Sequence, residues 1–126
     1  MRLGLLSFAH VHAEGYAHNL RTMPGIEFVG IADAEPDRGA QAARNYDTTF
    51  FPTYEGLLAE RPDGVVICSE NARHRPLVEM AAAAGVHVLC EKPLATTLED
   101  ARAMLDACQR AGVLLMTAFP MRFSAP

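Results

Sequence analysis

Short apolar runs alternate with segments of helical periodicity from one end of the 126-residue chain to the other. Residues 3–6 (LGLL) read as a first strand, and a helix over about 11–21 ends at the turn MPG. A second strand covers 26–32. Pro36 then sits in the first turn of a helix, where its missing N–H costs nothing. TTFF holds a short third strand, and a brief helix follows near 54–60. Residues 65–68 are a continuous apolar run, the pattern of a strand covered on both faces. The helix over about 76–84 is apolar nearly all round and stops at Gly85, and a fifth strand covers 86–90. Thr97, with Asp100 three residues on, resembles a capping box. The helix it opens carries Leu98, Ala101, Met104, Leu105 and Cys108 as its apolar stripe, and Gly112 ends it. Residues 113–119 form a sixth strand.

This alternation predicts one α/β domain over residues 1–126: a doubly wound parallel sheet of about six strands with helices on both faces. Right-handed crossovers bring the carboxyl ends of all strands to one edge, where ligands bind in open α/β sheets. The segments expected there are SFAHVH after the first strand, Asp33 after the second, SENARH after the fourth, EKPLATT after the fifth and PMRFS after the sixth.

Composition narrows the function classes. Half of the residues are hydrophobic and 21% are charged, as in a globular protein and unlike a disordered one. A net charge of −4 with scattered arginines argues against nucleic acid or an anionic membrane as partner. No apolar stretch reaches the roughly 18 residues of a membrane span, and the N-terminus lacks a signal-peptide layout. Cys68, Cys90 and Cys108 lie in apolar surroundings and read as reduced core residues of a cytoplasmic protein. Of eleven basic side chains only Lys92 is a lysine. An ammonium can give up its proton when partly buried, whereas a guanidinium cannot.

Two positions on the predicted edge carry chemistry. Asp33 follows the second strand, where a dinucleotide site places an acid against the adenosine ribose hydroxyls. A carboxylate there repels a 2′-phosphate, which favours NAD over NADP. Lys92 stands between Glu91 and Pro93; the proline holds it in extended backbone and permits a cis peptide. A lone ammonium beside a carboxylate at this edge suits a proton donor and acceptor.

VHVLCEKPLATTLEDARAML resembles the strand–Glu-Lys-Pro–helix signature of the Gfo/Idh/MocA family of NAD(P)-dependent oxidoreductases. DGVVICSENARHRPLVEMAAAAGVHV is similar to that family's preceding unit, and LLMTAFPMRFSAP to the segment closing its nucleotide domain. The resemblance implies a Rossmann-like fold and hydride transfer between nicotinamide and a sugar, cyclitol or related polyol. It implies that Lys92 is catalytic and contacts both substrate and cofactor, with Glu91 facing the cofactor pocket. Ser69, Glu70 and Asn71 would line the cofactor's path, with His74 at the start of the next helix and Arg122 near the nicotinamide end. SEN stands here where Thr-Pro-Asn is common. The family's second α/β domain is absent from the chain, which is expected to be an excised or truncated domain, inactive alone and prone to form homo-oligomers. The alternative is a non-catalytic Rossmann-fold binding or regulatory module with weakened or lost cofactor affinity.

The first loop departs most from that pattern. The resemblance aligns Ser7, Ala9 and His12 with the three glycines of the dinucleotide fingerprint. Ser7 must turn tightly with a Cβ, and its hydroxyl is expected to face phosphate. Ser7, Phe8, Ala9, His10 and Val11 are expected to face the cofactor, with the N–H groups of Ala9, His10 and Val11 free at a helix N-terminus. His10, His12 and His18 do not indicate a metal site, because no carboxylate or cysteine is evidently placed to complete it and residues two apart on a helix do not share a face. His87 reads as structural.

Overall fold

The computed structural model describes residues 1–123. Six parallel strands form one sheet: β1 (Arg2–Leu6), β2 (Glu27–Ala32), β3 (Phe50–Phe51), β4 (Gly64–Ile67), β5 (His87–Cys90) and β6 (Leu115–Thr117), in the order β3-β2-β1-β4-β5-β6. The order reverses between β1 and β4, which makes their carboxyl ends the crevice of a doubly wound sheet. Five helices connect the strands: α1 (Ala13–Thr22), α2 (Pro36–Asn45), α3 (Tyr54–Ala59), α4 (His74–Ala83) and α5 (Leu98–Ala111).

Alternation along the strands sorts the core into two layers. Leu5, Ile31, Val66 and Cys68 point to one face and meet Ala13, Ala17 and Leu20 of α1 and Ala42 of α2. Leu6, Val65, Ile67 and Val88 point to the other and meet Leu57 and Leu58 of α3, Leu77, Val78 and Ala81 of α4, and Met104 and Cys108 of α5. Every residue of β4 is buried, as its unbroken apolar run required. Cys68, Cys90 and Cys108 are all buried and unpaired. Burial pushes the Cys90 thiol up to about 12 and raises that of Cys108.

The helix ends follow their local chemistry. The Thr97 hydroxyl accepts from the Asp100 N–H at 3.0 Å, and Gly112 ends α5 in the left-handed region at φ 68°. The Asp100 carboxylate does not close the reciprocal half of the box; it accepts from Arg75 of α4 at 2.9 Å.

Three expectations need correction. The first helix begins at Ala13, two residues later than its pattern suggested, because His10 to His12 form a turn in which the Ala13 N–H donates to the His10 carbonyl. Leu98 and Leu105 are exposed, at 66% and 52%. The α4 and β5 neighbours cover only the stripe centred on Met104 and Cys108, so apolar spacing overstated the buried face. The sixth strand is confined to three residues, since β6 is an outer strand with one neighbour.

Candidate functional site

The β1–α1 loop turns at Ser7, whose φ of 70° lies in the left-handed region. That conformation disfavours a Cβ. It persists because the Ser7 N–H donates to the Ala32 carbonyl at 2.7 Å and the side chain is buried. The Ser7 hydroxyl accepts from the Ala9 N–H at 3.3 Å, a contact inside the loop. The His10 N–H donates to the Cys68 carbonyl at 2.9 Å, tying this loop to the end of β4. Ala9 and His10 thus spend their N–H groups inside the loop, contrary to expectation, while Val11 stays exposed with its N–H outside this network. The Phe8 ring lies 5.9 Å from that of Tyr46.

Asp33 follows β2 directly, as the sequence order predicts, and it is buried. One carboxylate oxygen accepts from the Phe8 N–H (2.7 Å) and from Arg38 Nε (2.9 Å). The other accepts from the Glu35 N–H (2.8 Å) and from a terminal guanidinium nitrogen of Arg38 (2.7 Å). Four donors fill the lone pairs of this carboxylate, and a bidentate guanidinium covers its outer side. The hydrogen bond to Asp33 raises the Arg38 pKa above its ordinary value.

After β4, Ser69 is buried and its hydroxyl donates to the Glu70 carbonyl at 3.2 Å. Glu70 and Asn71 are exposed, and Asn71 opens a short 3₁₀ turn, Asn71–Arg73. His74 does not line the open crevice. Its ring is fully buried, with Nδ1–H donating to the carbonyls of Pro93 (3.0 Å) and Leu94 (3.1 Å). Its Nε2 lies 3.3 Å from the Ser69 carbonyl. His74 is a brace between two loops of the edge, because α4 starts beneath the turn that follows β5.

That turn carries Glu91, Lys92 and a cis Lys92–Pro93 peptide. Glu91 was expected on the pocket wall but is fully buried. His12 Nδ1–H donates to its Oε1 at 2.9 Å, the Tyr16 hydroxyl to the same oxygen at 3.1 Å, and the Lys92 N–H to Oε2 at 2.9 Å. Burial alone would raise the Glu91 carboxyl; the hydrogen bonds from His12, Lys92 and Tyr16 outweigh it and hold the group below its ordinary value. Burial first, and the Glu91 charge second, push the Tyr16 phenol well above its usual range. The Lys92 side chain is exposed at the carboxyl edge, and its ammonium makes no ion pair among the described residues.

Loop β1–α1, Asp33, the end of β4 and the Glu91–Lys92 turn therefore meet in one crevice. Arg122 does not join that network. It lies in a short 3₁₀ turn, Pro120–Phe123, with its guanidinium 5.5 Å from the Phe119 ring centre. Tyr16 and Arg38 are the participants that sequence reasoning missed. Tyr16 lies four residues after His12, and Arg38 in the first turn of the helix after Asp33, so helical spacing was the available signal. An open groove of about 400 Å³ runs beside the crevice, lined by Val11, His12, Tyr16, Asn19 and Pro120 among others.

Residues 3–119 match the model of the Gfo/Idh/MocA family, described as an oxidoreductase family with an NAD-binding Rossmann fold. The chain is 43% identical over 115 residues to D-apiose dehydrogenase of Paraburkholderia graminis, covering 90% of this chain and 29% of that protein. It superposes on UDP-N-acetylglucosamine 3-dehydrogenase from Acidithiobacillus ferrooxidans with a TM-score of 0.86 at 30% identity, over 93% of this chain and 37% of that one. An oxidoreductase from Agrobacterium radiobacter, solved in complex with NAD+, L-tartaric acid and magnesium, gives 0.84 at 30% identity, over 93% and 34%. The chain thus spans about a third of the length of the relatives it matches. From residue 3 to 119 it carries the NAD-binding Rossmann domain of the Gfo/Idh/MocA oxidoreductases, and to that family it belongs.

Proposed function

We propose that the chain binds a nicotinamide dinucleotide across the carboxyl edge of its sheet, NAD in preference to NADP, for oxidoreduction of a sugar or polyol. Membership of a family with an NAD-binding domain supports the cofactor class. The sugar dehydrogenases among its relatives support the substrate class. The residues fit such a ligand in three ways: a left-handed turn at Ser7, the Val11 N–H near the N-terminus of α1, and a carboxylate just after β2 that ribose hydroxyls reach by displacing Arg38.

The observation that carries the catalytic part is Lys92, an ammonium just after β5 with no ion pair among the described residues, its backbone anchored by Glu91. The dinucleotide, when bound, supplies the hydride acceptor. In the oxidative direction, the amine of Lys92 takes the hydroxyl proton as the carbinol carbon loses hydride and becomes a carbonyl carbon. In the reductive direction, the ammonium returns that proton to the carbonyl oxygen. His74 and Glu91 act behind it, holding the turn. Ser69, Glu70, Asn71 and Arg122 belong to this reading as candidate cofactor contacts.

Isothermal titration with NAD, NADH and NADPH tests the proposal. Saturable 1:1 binding, tighter for NAD than for NADPH, supports it. Absence of binding at millimolar concentration favours a second reading, a Rossmann-fold module that has lost its cofactor. The loop whose Phe8, Ala9 and His10 N–H groups are already engaged is the observation behind that reading.

A further inference from the structure

His10 and His12 precede α1, and the turn that holds them overrides the helical rule that residues two apart diverge. Their rings stand edge to face with centroids 4.6 Å apart. Glu91 arrives from β5, on the far side of β4. One ligand atom from each of His10, His12 and Glu91 lies within 4.8 Å of the others. The carboxylate that the sequence did not evidently supply is therefore present, brought in by the strand order.

We propose that His10, His12 and Glu91 form a binding site for a divalent transition metal of the zinc class. Two imidazoles and one carboxylate are a donor set of catalytic zinc sites, which leave further positions open. Magnesium and calcium prefer all-oxygen shells and fit poorly. His12 Nδ1 and Glu91 Oε1 are 2.9 Å apart. Tetrahedral donors each about 2.1 Å from a common ion stand about 3.4 Å apart, so the pair opens by about half an ångström as the metal takes the place of the proton they share. His10 completes the set by turning its ring away from the His12 N–H, which now donates to its Nδ1 at 3.2 Å.

Outer-shell contacts are also in place. The Tyr16 hydroxyl and the Lys92 N–H both donate to the Glu91 carboxylate and fix its orientation, as partners of metal-bound carboxylates do. Glu91 is fully buried, and among the described residues no lysine or arginine side chain pairs with it. Hydrogen bonds already satisfy that carboxylate, and a divalent ion in the adjoining loop adds a full positive charge beside it. His10 and His12 are both partly exposed, which leaves the ion a path of entry and room for water on its open positions.

The test uses tag-free protein freed of metal with a chelator, then titrated with Co²⁺, followed by visible absorption, and with Zn²⁺ against a chromophoric chelator. The expected result is one ion per chain, with d–d bands from nitrogen and oxygen ligands. His10→Ala and His12→Ala should each weaken Zn²⁺ binding by at least about tenfold. His18→Ala, on the exposed side of α1, should leave it unchanged. Circular dichroism confirms that the variants fold; Glu91→Gln is secondary, because a buried substitution can disturb folding by itself. No saturable binding, or binding indifferent to both His10 and His12, overturns the site. Dinucleotide titration in the presence of chelator reads the cofactor proposal separately.

Discussion

The imidazole of His74 and the carbonyl oxygen of Pro93 lie 3.0 Å apart although 19 residues separate them. Through this bond, and that to Leu94, the start of α4 fixes the turn that presents Lys92. A lysine that is to move a proton, as proposed for Lys92, needs a defined position more than a defined neighbour. The brace that supplies it is a buried side chain with no access to the crevice.

His74→Ala strands the carbonyls of Pro93 and Leu94 and leaves a cavity. The expected loss is about 2–4 kcal/mol of stability, read from urea midpoints. At temperatures where the variant stays folded, kcat should fall more than NAD affinity, since the displaced residue is Lys92. An unchanged kcat would reduce His74 to a stability element.

In the active protein, Lys92→Ala should lower kcat by at least about a hundredfold with little change in the Kd for NADH. Equal losses in both would make Lys92 a binding residue. Lys92→Arg should not rescue activity, because a guanidinium keeps its proton.

If the proposed dinucleotide binds at Asp33, Arg38 sets how that carboxylate meets the ribose. While its guanidinium occupies both carboxylate oxygens, ribose hydroxyls must displace it, and a 2′-phosphate would meet a cation. Arg38→Ala should therefore strengthen NAD and weaken NADP, moving the ratio of their dissociation constants by about tenfold, or 1.4 kcal/mol. Parallel changes for the two cofactors would show that Arg38 only positions α2.

Gly39 and Gly15 predict opposite signs for the same substitution. A Cβ at Gly39 would stand 2.5 Å from a ring carbon of Phe50 and 2.7 Å from Asp33 Cβ; at Gly15 nothing lies within 4 Å. Both are helical, so Ala gains about 1 kcal/mol of propensity at each. Steric cost wins at Gly39, where overpacking costs about 1–3 kcal/mol, while Gly15→Ala should stabilise. Chemical denaturation of the two variants checks the contrast.

The hydrogen bond from Arg75 holds the Asp100 carboxyl below its ordinary value, with help from Thr97. A depressed carboxyl contributes stability that is present above its unfolded value of about 3.9 and is lost as pH falls through the folded value. Asp100→Asn should lower the melting temperature slightly at pH 7. That difference should shrink as the pH is taken below the carboxylate range. A difference independent of pH would assign the effect to the helix end and not to the ion pair.

By itself the sequence determined the layers, because the period of apolar residues reports which face of an element is covered. It determined the ends of α5, where Thr97 and Gly112 act within a few residues of themselves, and it located Asp33 and Lys92 at strand ends. Four outcomes needed the tertiary structure: the enclosure of Ser7, the saturation of Asp33, the burial of His74 and the meeting of His12 with Glu91, 79 positions away. All four depend on which loops become neighbours when β4 crosses to the side of β1 opposite β2. Periodicity says that a residue stands at the carboxyl edge. Only the strand order says what stands beside it, and so whether its polar atoms are spent on the protein or left for a ligand.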